Sequence, residues 1–199
     1  MLLAMTFLPI LAAAAMSVPN AEADGFAQRM FRAKPDGNVF TDLFLGPDGR
    51  VEHCVVIYSE GSRRDGERYC EVALGLMAGE PALGPDGNAA YGMANFDLIV
   101  RPEGVPNARV PSRPADIELT VASLPARFGA RLRVRVAVFV SDSGVVLECM
   151  TEGEGPADYG AAACQHLGQI PRPIMRNTAD KAVAYVDGLL VDFVVEPAG

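Results

Sequence analysis

The amino-acid sequence repeats itself at a spacing of 95 residues, and this repeat constrains the fold more than any other feature of the chain. Cys54 lies 95 residues before Cys149, and the segment DLIVRPEG at 97–104 lies 95 residues before DFVVEPAG at 192–199. Repetition over so long a segment indicates the duplication of a whole structural unit. A chain of 199 residues is therefore predicted to hold two copies of one small domain.

Each copy begins with the pattern of a β-hairpin. Apolar residues alternate with other residues at 39–45 in the first copy and at 134–140 in the second, which is the period of a half-buried strand. A turn is predicted after each of these strands, at Gly49 and at Gly144, because glycine accepts the positive φ that such turns require. A second apolar strand comes after each turn and completes the predicted hairpin.

A cysteine-bearing helix and a closing strand are predicted after each hairpin. Asp65 is the expected N-cap of the first helix. Apolar residues then recur at the spacing of one helical face, at Cys70, Ala73, Leu74 and Met77 in the first copy and at Ala161, Cys164 and Leu167 in the second. Closing strands are predicted at 95–101 and 189–196. This order of elements predicts an α+β fold of two tandem domains, each a small antiparallel sheet with one packed helix.

The domain boundaries follow from the repeat and from the apolar N-terminus. Residues 1–23 contain an apolar run and no Lys or Arg, and they end in Ala-Glu-Ala, which predicts a secretory signal peptide cut after Ala23. A retained inner-membrane anchor is the alternative. The first domain is predicted at 24–104 and the second at 116–199. The proline-rich linker 105–115 between them carries few apolar residues, so few contacts are expected to cross it.

Charge and cysteine content narrow the compartment and the partners. The formal net charge of −8 argues against binding to nucleic acid or to an anionic membrane surface, both of which need a basic footprint. Four cysteines behind a signal peptide indicate disulfides in an oxidising compartment. The only pairing that both copies share is Cys54 with Cys70 and Cys149 with Cys164. Each bond closes a loop of about 15 residues, worth about 3 kcal/mol of stability.

The sequence resembles the TonB C-terminal domain. The resemblance rests on Gly49, Val51, Cys54, the turn 59–62, Cys70, Pro81, Ala82 and the strand 95–100, and in the second copy on Gly144, Val146, Cys149, the turn 153–155, Cys164, Pro173 and Ile174. The cysteine pairs are similar to those of a disulfide-bearing subset of the family. The resemblance implies a periplasmic protein without a cofactor, to which a partner peptide adds as a strand at a sheet edge. The polar membrane span and long spacer of energy-transducing members are not found, so coupling to a proton gradient is not expected.

Two groups of residues are candidates for partner binding. The closing strands are expected to lie at sheet edges, where unpaired N–H and C=O groups can bind another chain. Their candidate residues are Phe96, Leu98 and Val100 in the first copy and Phe193, Val194 and Val195 in the second. The second group, Arg131, Arg133 and Arg135, lines one face of a strand. It has two interpretations, a solvated sheet face and a docking surface for an acidic segment.

Enzymatic chemistry has little support in the sequence. His53 precedes Cys54 and His166 follows Cys164 by two residues, but the two histidines do not occupy equivalent places in the repeat. Cysteines held in disulfides would leave no thiol nucleophile, and no CxxC or HxxxH spacing suggests zinc. No catalytic, cofactor-binding or metal-binding residue is therefore predicted.

The expected function is non-enzymatic binding of another envelope protein or peptide segment in the periplasm. The alternatives are an enzyme or inhibitor that uses the cleft between the copies, and a purely structural envelope protein.

Overall fold

The computed structural model describes residues 15–16, 37–60, 62–76, 78–98, 111–153 and 155–196. The described strands are β1 (Ala15–Met16), β2 (Val39–Leu45), β3 (Val51–Ser59), β4 (Gly79–Glu80), β5 (Ala82–Leu83), β6 (Ala89–Leu98), β7 (Ile117–Val121), β8 (Arg131–Val140), β9 (Val146–Glu152) and β10 (Tyr185–Val195). The helices are α1 (Arg63–Leu76) and α2 (Ala157–Leu167), with a 3-10 turn at Ala126–Phe128. The predicted α+β class is therefore confirmed.

Both copies belong to one mixed, eight-stranded sheet. The strand order is β3-β2-β6-β10-β8-β9, with β5 added to β6 and β7 added to β10. The two copies join where β6 and β10 run parallel, with Tyr91 opposite Tyr185. The structure thus does not divide clearly into two separate domains, although each copy keeps its own hairpin and its own helix.

The hairpin turns confirm the repeat at the level of backbone geometry. Gly49 has a φ of 78° and Gly144 a φ of 82°, and a Cβ on either would overlap a carbonyl oxygen, that of Gly79 or Arg172. The N–H of Gly79 donates to the carbonyl of Gly49 at 2.8 Å, and the N–H of Arg172 donates to that of Gly144 at 2.8 Å. Positive φ and close approach together require glycine at both positions.

The first helix begins two residues before the predicted cap. Ser62 rather than Asp65 precedes the first turn, and the two form a reciprocal pair in which the N–H of Ser62 donates to the Asp65 carboxylate at 3.1 Å and the N–H of Asp65 donates to Ser62 Oγ at 3.3 Å. This is the geometry of a capping box. The buried side of α1 is formed by Gly66, Tyr69, Cys70 and Ala73. Leu74 is exposed, so its predicted place on the buried face is wrong, and the side chain of Met77 lies outside the described residues.

The two copies share part of their hydrophobic core. Leu43 and Leu45 belong to a cluster with Ala73 of α1, whereas Phe44, between them in β2, belongs to the cluster that contains Leu167 of α2. Alternate residues of a strand point to opposite faces, so the two helices cover opposite faces of the sheet here. The ring of Phe44 lies 6.2 Å from that of Tyr185 in an edge-to-face arrangement.

The closing strand of the second copy lies inside the sheet, so the expectation that it forms an edge is wrong, whereas residues 95–98 of the first copy pair only with β2 among the described strands. β10 pairs with β8 on one side and with β6 and then β7 on the other. The two closing strands also differ in register. Leu43 pairs with Ala94 in the first copy. Val138, which lies 95 residues after Leu43, pairs with Asp187, which lies only 93 residues after Ala94. An offset of two residues keeps each side chain on its face.

The predicted disulfides are confirmed. Cys54 is bonded to Cys70 and Cys149 to Cys164, which indicates an oxidising, extracytoplasmic compartment. Within the described ranges, no helix has the length and apolar character needed to cross a membrane. The predicted signal peptide lies outside the described residues except for 15–16, which pair with Gly79–Glu80.

Candidate functional site

The strand-edge residues named in the sequence analysis do not lie at a free edge in the second copy. Phe193, Val194 and Val195 pair with β7 on one side, and Phe193 and Val194 also pair with β8. In the first copy, Phe96 and Leu98 of β6 pair with β2, and Val100 lies outside the described residues. Strand addition to β10 at these residues would first require the removal of β7.

The three arginines of β8 are held by internal partners. Arg131 Nη1 lies 2.9 Å and Arg133 Nε 2.6 Å from the carboxylate of Asp192, whose side chain is fully buried. Arg135 donates to the side-chain oxygen of Asn95 at 2.8 Å. Hydrogen bonds from Arg133 lower the pKa of Asp192 below its usual value. Asp192, a residue that sequence reasoning missed, thus pairs with two of the arginines, while Glu118 lies 3.2 Å from Arg131 and Glu152 lies 3.5 Å from Arg135.

Arg113, from the predicted linker, lies at the centre of a second charged group. Its guanidinium lies 2.7 Å from Asp42 and 3.3 Å from Asp97. Its carbonyl oxygen accepts a hydrogen bond from Arg133 Nη1 at 2.9 Å. Burial raises the pKa of both Asp42 and Asp97. The expectation that few contacts cross the linker is thus wrong at Arg113, which joins strands of both copies.

The histidine and cysteine residues do not form a reactive centre. All four cysteines are in disulfides. His53 stacks on Phe44 at 5.9 Å, and its Nε2 lies 2.9 Å from the carbonyl oxygen of Arg176, so it connects the two copies. In the part of the chain that the structure describes, no three His, Cys, Asp or Glu side chains are grouped so that they could hold a metal ion.

The strands at the two ends of the main strand order are β3 and β9, and they differ in charge. Each has one ladder partner among the described strands, β2 for β3 and β8 for β9. From Cys54 to Ser59, β3 carries no charged side chain, whereas β9 has Glu148 near its middle. Charged residues on an edge strand protect it from pairing with another chain. Of these two strands, β3 is therefore the less protected between Cys54 and Ser59, and two of its apolar side chains there are exposed, Val55 at 52% and Ile57 at 44%.

A groove of about 890 Å³ lies between this edge strand and the first helix. It is lined by residues 54–59 of β3 and by Arg63, Glu67, Cys70, Glu71 and Leu74 of α1. The Cys54–Cys70 disulfide forms part of its floor and ties the helix to the strand. We call this site the β3–α1 groove.

Glycine sets how closely the helix lies on the strand. A Cβ at Gly66 would come within 2.7 Å of Val56 Cγ1, and a Cβ at Gly160 in α2 would overlap Thr151 of β9. Both copies thus use a helical glycine at the same place. The sequence signal was present, since glycine inside a helix is unfavourable without a packing reason.

Some backbone groups of β3 point away from β2 into the groove. The N–H of Glu60 donates to the carbonyl of Asn38 at 2.9 Å, so this pair is hydrogen-bonded. A register shift between Phe40 and Thr41 adds one residue, Ile57, to β3 but leaves the alternation along β2 unchanged. Thr41 is the third residue after Asn38 in β2, so its pair with Val56 is a non-bonded one. The N–H and C=O of Val56 are therefore directed outward, where a further strand could bind them.

Comparison of the chain with protein-family models, with curated proteins and with solved structures found no match. The candidate site is therefore defined by its geometry alone.

Proposed function

We propose that this protein is a non-enzymatic, periplasmic interaction module that binds an extended segment of a partner protein as an added strand on β3. The observation that carries the proposal is the outer edge of β3 from Cys54 to Ser59, which carries no charged side chain and borders the β3–α1 groove. The predicted signal peptide and the resemblance of each copy to the TonB C-terminal domain support the compartment and the mode of binding.

The physical basis is the same as for the ladders inside the sheet. An added strand would satisfy the outward N–H and C=O groups of β3, each hydrogen bond contributing about 1 kcal/mol. Alternate side chains of the added strand would enter the groove and contact α1. The backbone ladder would supply affinity, and the groove would select the side chains.

The difference in charge between β3 and β9 favours a protein in which only the first copy binds the partner. Glu148 and Glu152 place two carboxylates along β9, which disfavours strand addition there. A purely structural protein, the alternative, has no need for one outer edge to differ from the other.

A substitution at Val56 tests the proposal. Proline at this position removes an outward N–H and no bond to β2, whereas Val56→Ala removes the same side-chain packing and keeps the N–H. Peptides selected from a random 12-residue library on the full chain serve as probes, with binding measured by fluorescence anisotropy. We expect Val56→Pro to weaken binding about tenfold or more, the effect of about 1.4 kcal/mol, and Val56→Ala to bind at least severalfold more tightly than the proline variant.

Thr151 gives the matched control in the second copy, since it occupies the place in β9 that Val56 has in β3. Thr151→Pro is expected to leave binding unchanged, with circular dichroism used to verify that each variant is folded. Equal affinity of folded Val56→Pro and Val56→Ala, or the failure of the library to yield any peptide, would refute strand addition at β3.

A further inference from the structure

The helix side of the β3–α1 groove is unevenly charged. Arg63 and Glu67 form an ion pair at 3.0 Å, so their charges cancel at the end of the groove near Ser59. Glu71 lies one turn further along α1 and, within the described residues, has no ion pair or hydrogen bond. Its carboxylate is the uncompensated charge of the groove.

The end of the helix adds to this negative potential. The partial negative charge at a helix C-terminus lies within its last turn, and no basic residue occupies the last turn of α1. Glu71 and this terminus lie toward the same end of the groove. That end should therefore attract a cation from any segment that binds there.

An apolar surface lies beside the carboxylate. Leu74 is 46% exposed and lines the groove together with Glu71, one helical turn beyond it. A lysine or arginine side chain could place its methylene stem on Leu74 and its charged head at Glu71, as such amphipathic side chains do on protein surfaces. Aspartate and short polar side chains have neither a long methylene stem to pack on Leu74 nor a positive charge to pair with Glu71.

The position of this contact along β3 follows from the two points where helix and strand touch. Gly66 approaches Val56, and Cys70 is bonded to Cys54, so α1 runs antiparallel to β3. Glu71 and Leu74 thus lie beyond Val56, at and past the level of Cys54. The cation would belong to the residue of the added strand that faces α1 at this level.

We propose that the partner segment carries a lysine or arginine at the groove-facing position next to Glu71 and Leu74, with an uncharged residue two positions away, where Arg63 and Glu67 already neutralise each other. This inference rests on the proposed function, because it specifies the occupant of the same groove. The occupant is an extended, basic segment of another protein.

The test uses the tightest peptide selected from the random library and two synthetic variants of it, in which the groove-facing basic residue is replaced by norleucine or by glutamate. The full-length protein should bind the basic peptide about fivefold more tightly than the norleucine variant, the size of a good exposed ion pair. Glu71→Gln should remove this preference, and Glu71→Lys should reverse it in favour of the glutamate peptide. The preference should weaken as NaCl is raised, because an exposed pair is screened.

Asp158→Asn is the control, since this exposed carboxylate lies on α2, outside the groove, and it should leave the preference as it is. Selected peptides without a basic residue, or a preference that Glu71→Gln does not change, would overturn the inference about the partner. In that case the weaker binding of Val56→Pro would still support strand addition, so the two failures are distinguishable. A chain that dimerises in sedimentation, and becomes monomeric with Val56→Pro, would identify a second copy as the occupant and would also overturn it.

Discussion

The guanidinium of Arg113 lies 2.7 Å from the carboxylate of Asp42, and the side chain of Arg113 is only 6% exposed. Arg113 comes from the proline-rich segment between the copies, and Asp42 from the middle of β2. An ion pair with so little access to water depends on both partners, because either charge alone would be costly to bury. The segment between the copies is thus anchored in the first copy.

Arg113→Met should destabilise the protein by about 3 kcal/mol, since it leaves Asp42 and Asp97 partly buried without their cation. Urea unfolding measures the loss. Arg50→Met is the matched control: Arg50 pairs with Asp48 at 3.6 Å on the surface, where an ion pair contributes about 0–1 kcal/mol. Equal effects of the two substitutions would contradict the proposed role of Arg113.

Gly66→Ala should destabilise the protein by about 2 kcal/mol, because the added methyl group forces α1 away from Val56, a stiff β-branched side chain. Gly75, in the same helix, faces open space, and a Cβ added there would meet no neighbouring atom within 4 Å. Gly75→Ala should therefore stabilise by up to about 1 kcal/mol, as helix propensity predicts. Opposite signs in thermal unfolding are the expected result, and destabilisation by both changes would show that the helix–strand contact is not the cause.

Phe44→Ala should weaken both copies, although Phe44 belongs to the first. It removes a side chain that is 1% exposed from the shared core, at a cost of about 3–5 kcal/mol. Hydrogen exchange followed by mass spectrometry should show reduced protection of the most stable amides in β2 and also in β10. Loss of protection confined to the first copy would instead indicate two independent folding units.

Ionisation of the Asp187 carboxyl group should make the protein less stable as the pH rises from about 4 to about 6. Burial raises the pKa of this carboxyl group to about 6 in the folded protein, against 3.8 as its ordinary value, while Arg172 at 3.0 Å offsets part of that effect. The folded state therefore binds the proton more tightly than the unfolded chain. Above about pH 6, where Asp187 is ionised in both states, the protein is less stable by about 3 kcal/mol than below about pH 4.

Urea unfolding of Asp187→Asn at several pH values measures this contribution. The difference in unfolding free energy between wild type and variant should change between pH 4 and 6 and be constant above and below. A pH-independent difference for Asp187→Asn would show that Asp187 does not titrate in this range.

Local features of the candidate site could be predicted from the sequence. The strand at β3, the helix that bears Cys70 and the bond between Cys70 and Cys54 all follow from periodicity and from the repeat. The role of β3 as the open edge could not be predicted in this way. The alternation of β3 resembles that of β6, and alternation shows which face of a strand is buried without showing which strands lie beside it.

The same distinction applies to the whole chain. The two hairpins, the glycine turns at Gly49 and Gly144 and the disulfides could be predicted from the sequence, because they depend on residues close in the chain or on equivalent places in the repeat. The tertiary structure was needed to show that β6 and β10 join the copies, that their registers differ by two residues, and that Arg113 is buried. These features arise from strand pairings and ion pairs between residues far apart in sequence, whose free energies depend on neighbours that no local pattern specifies.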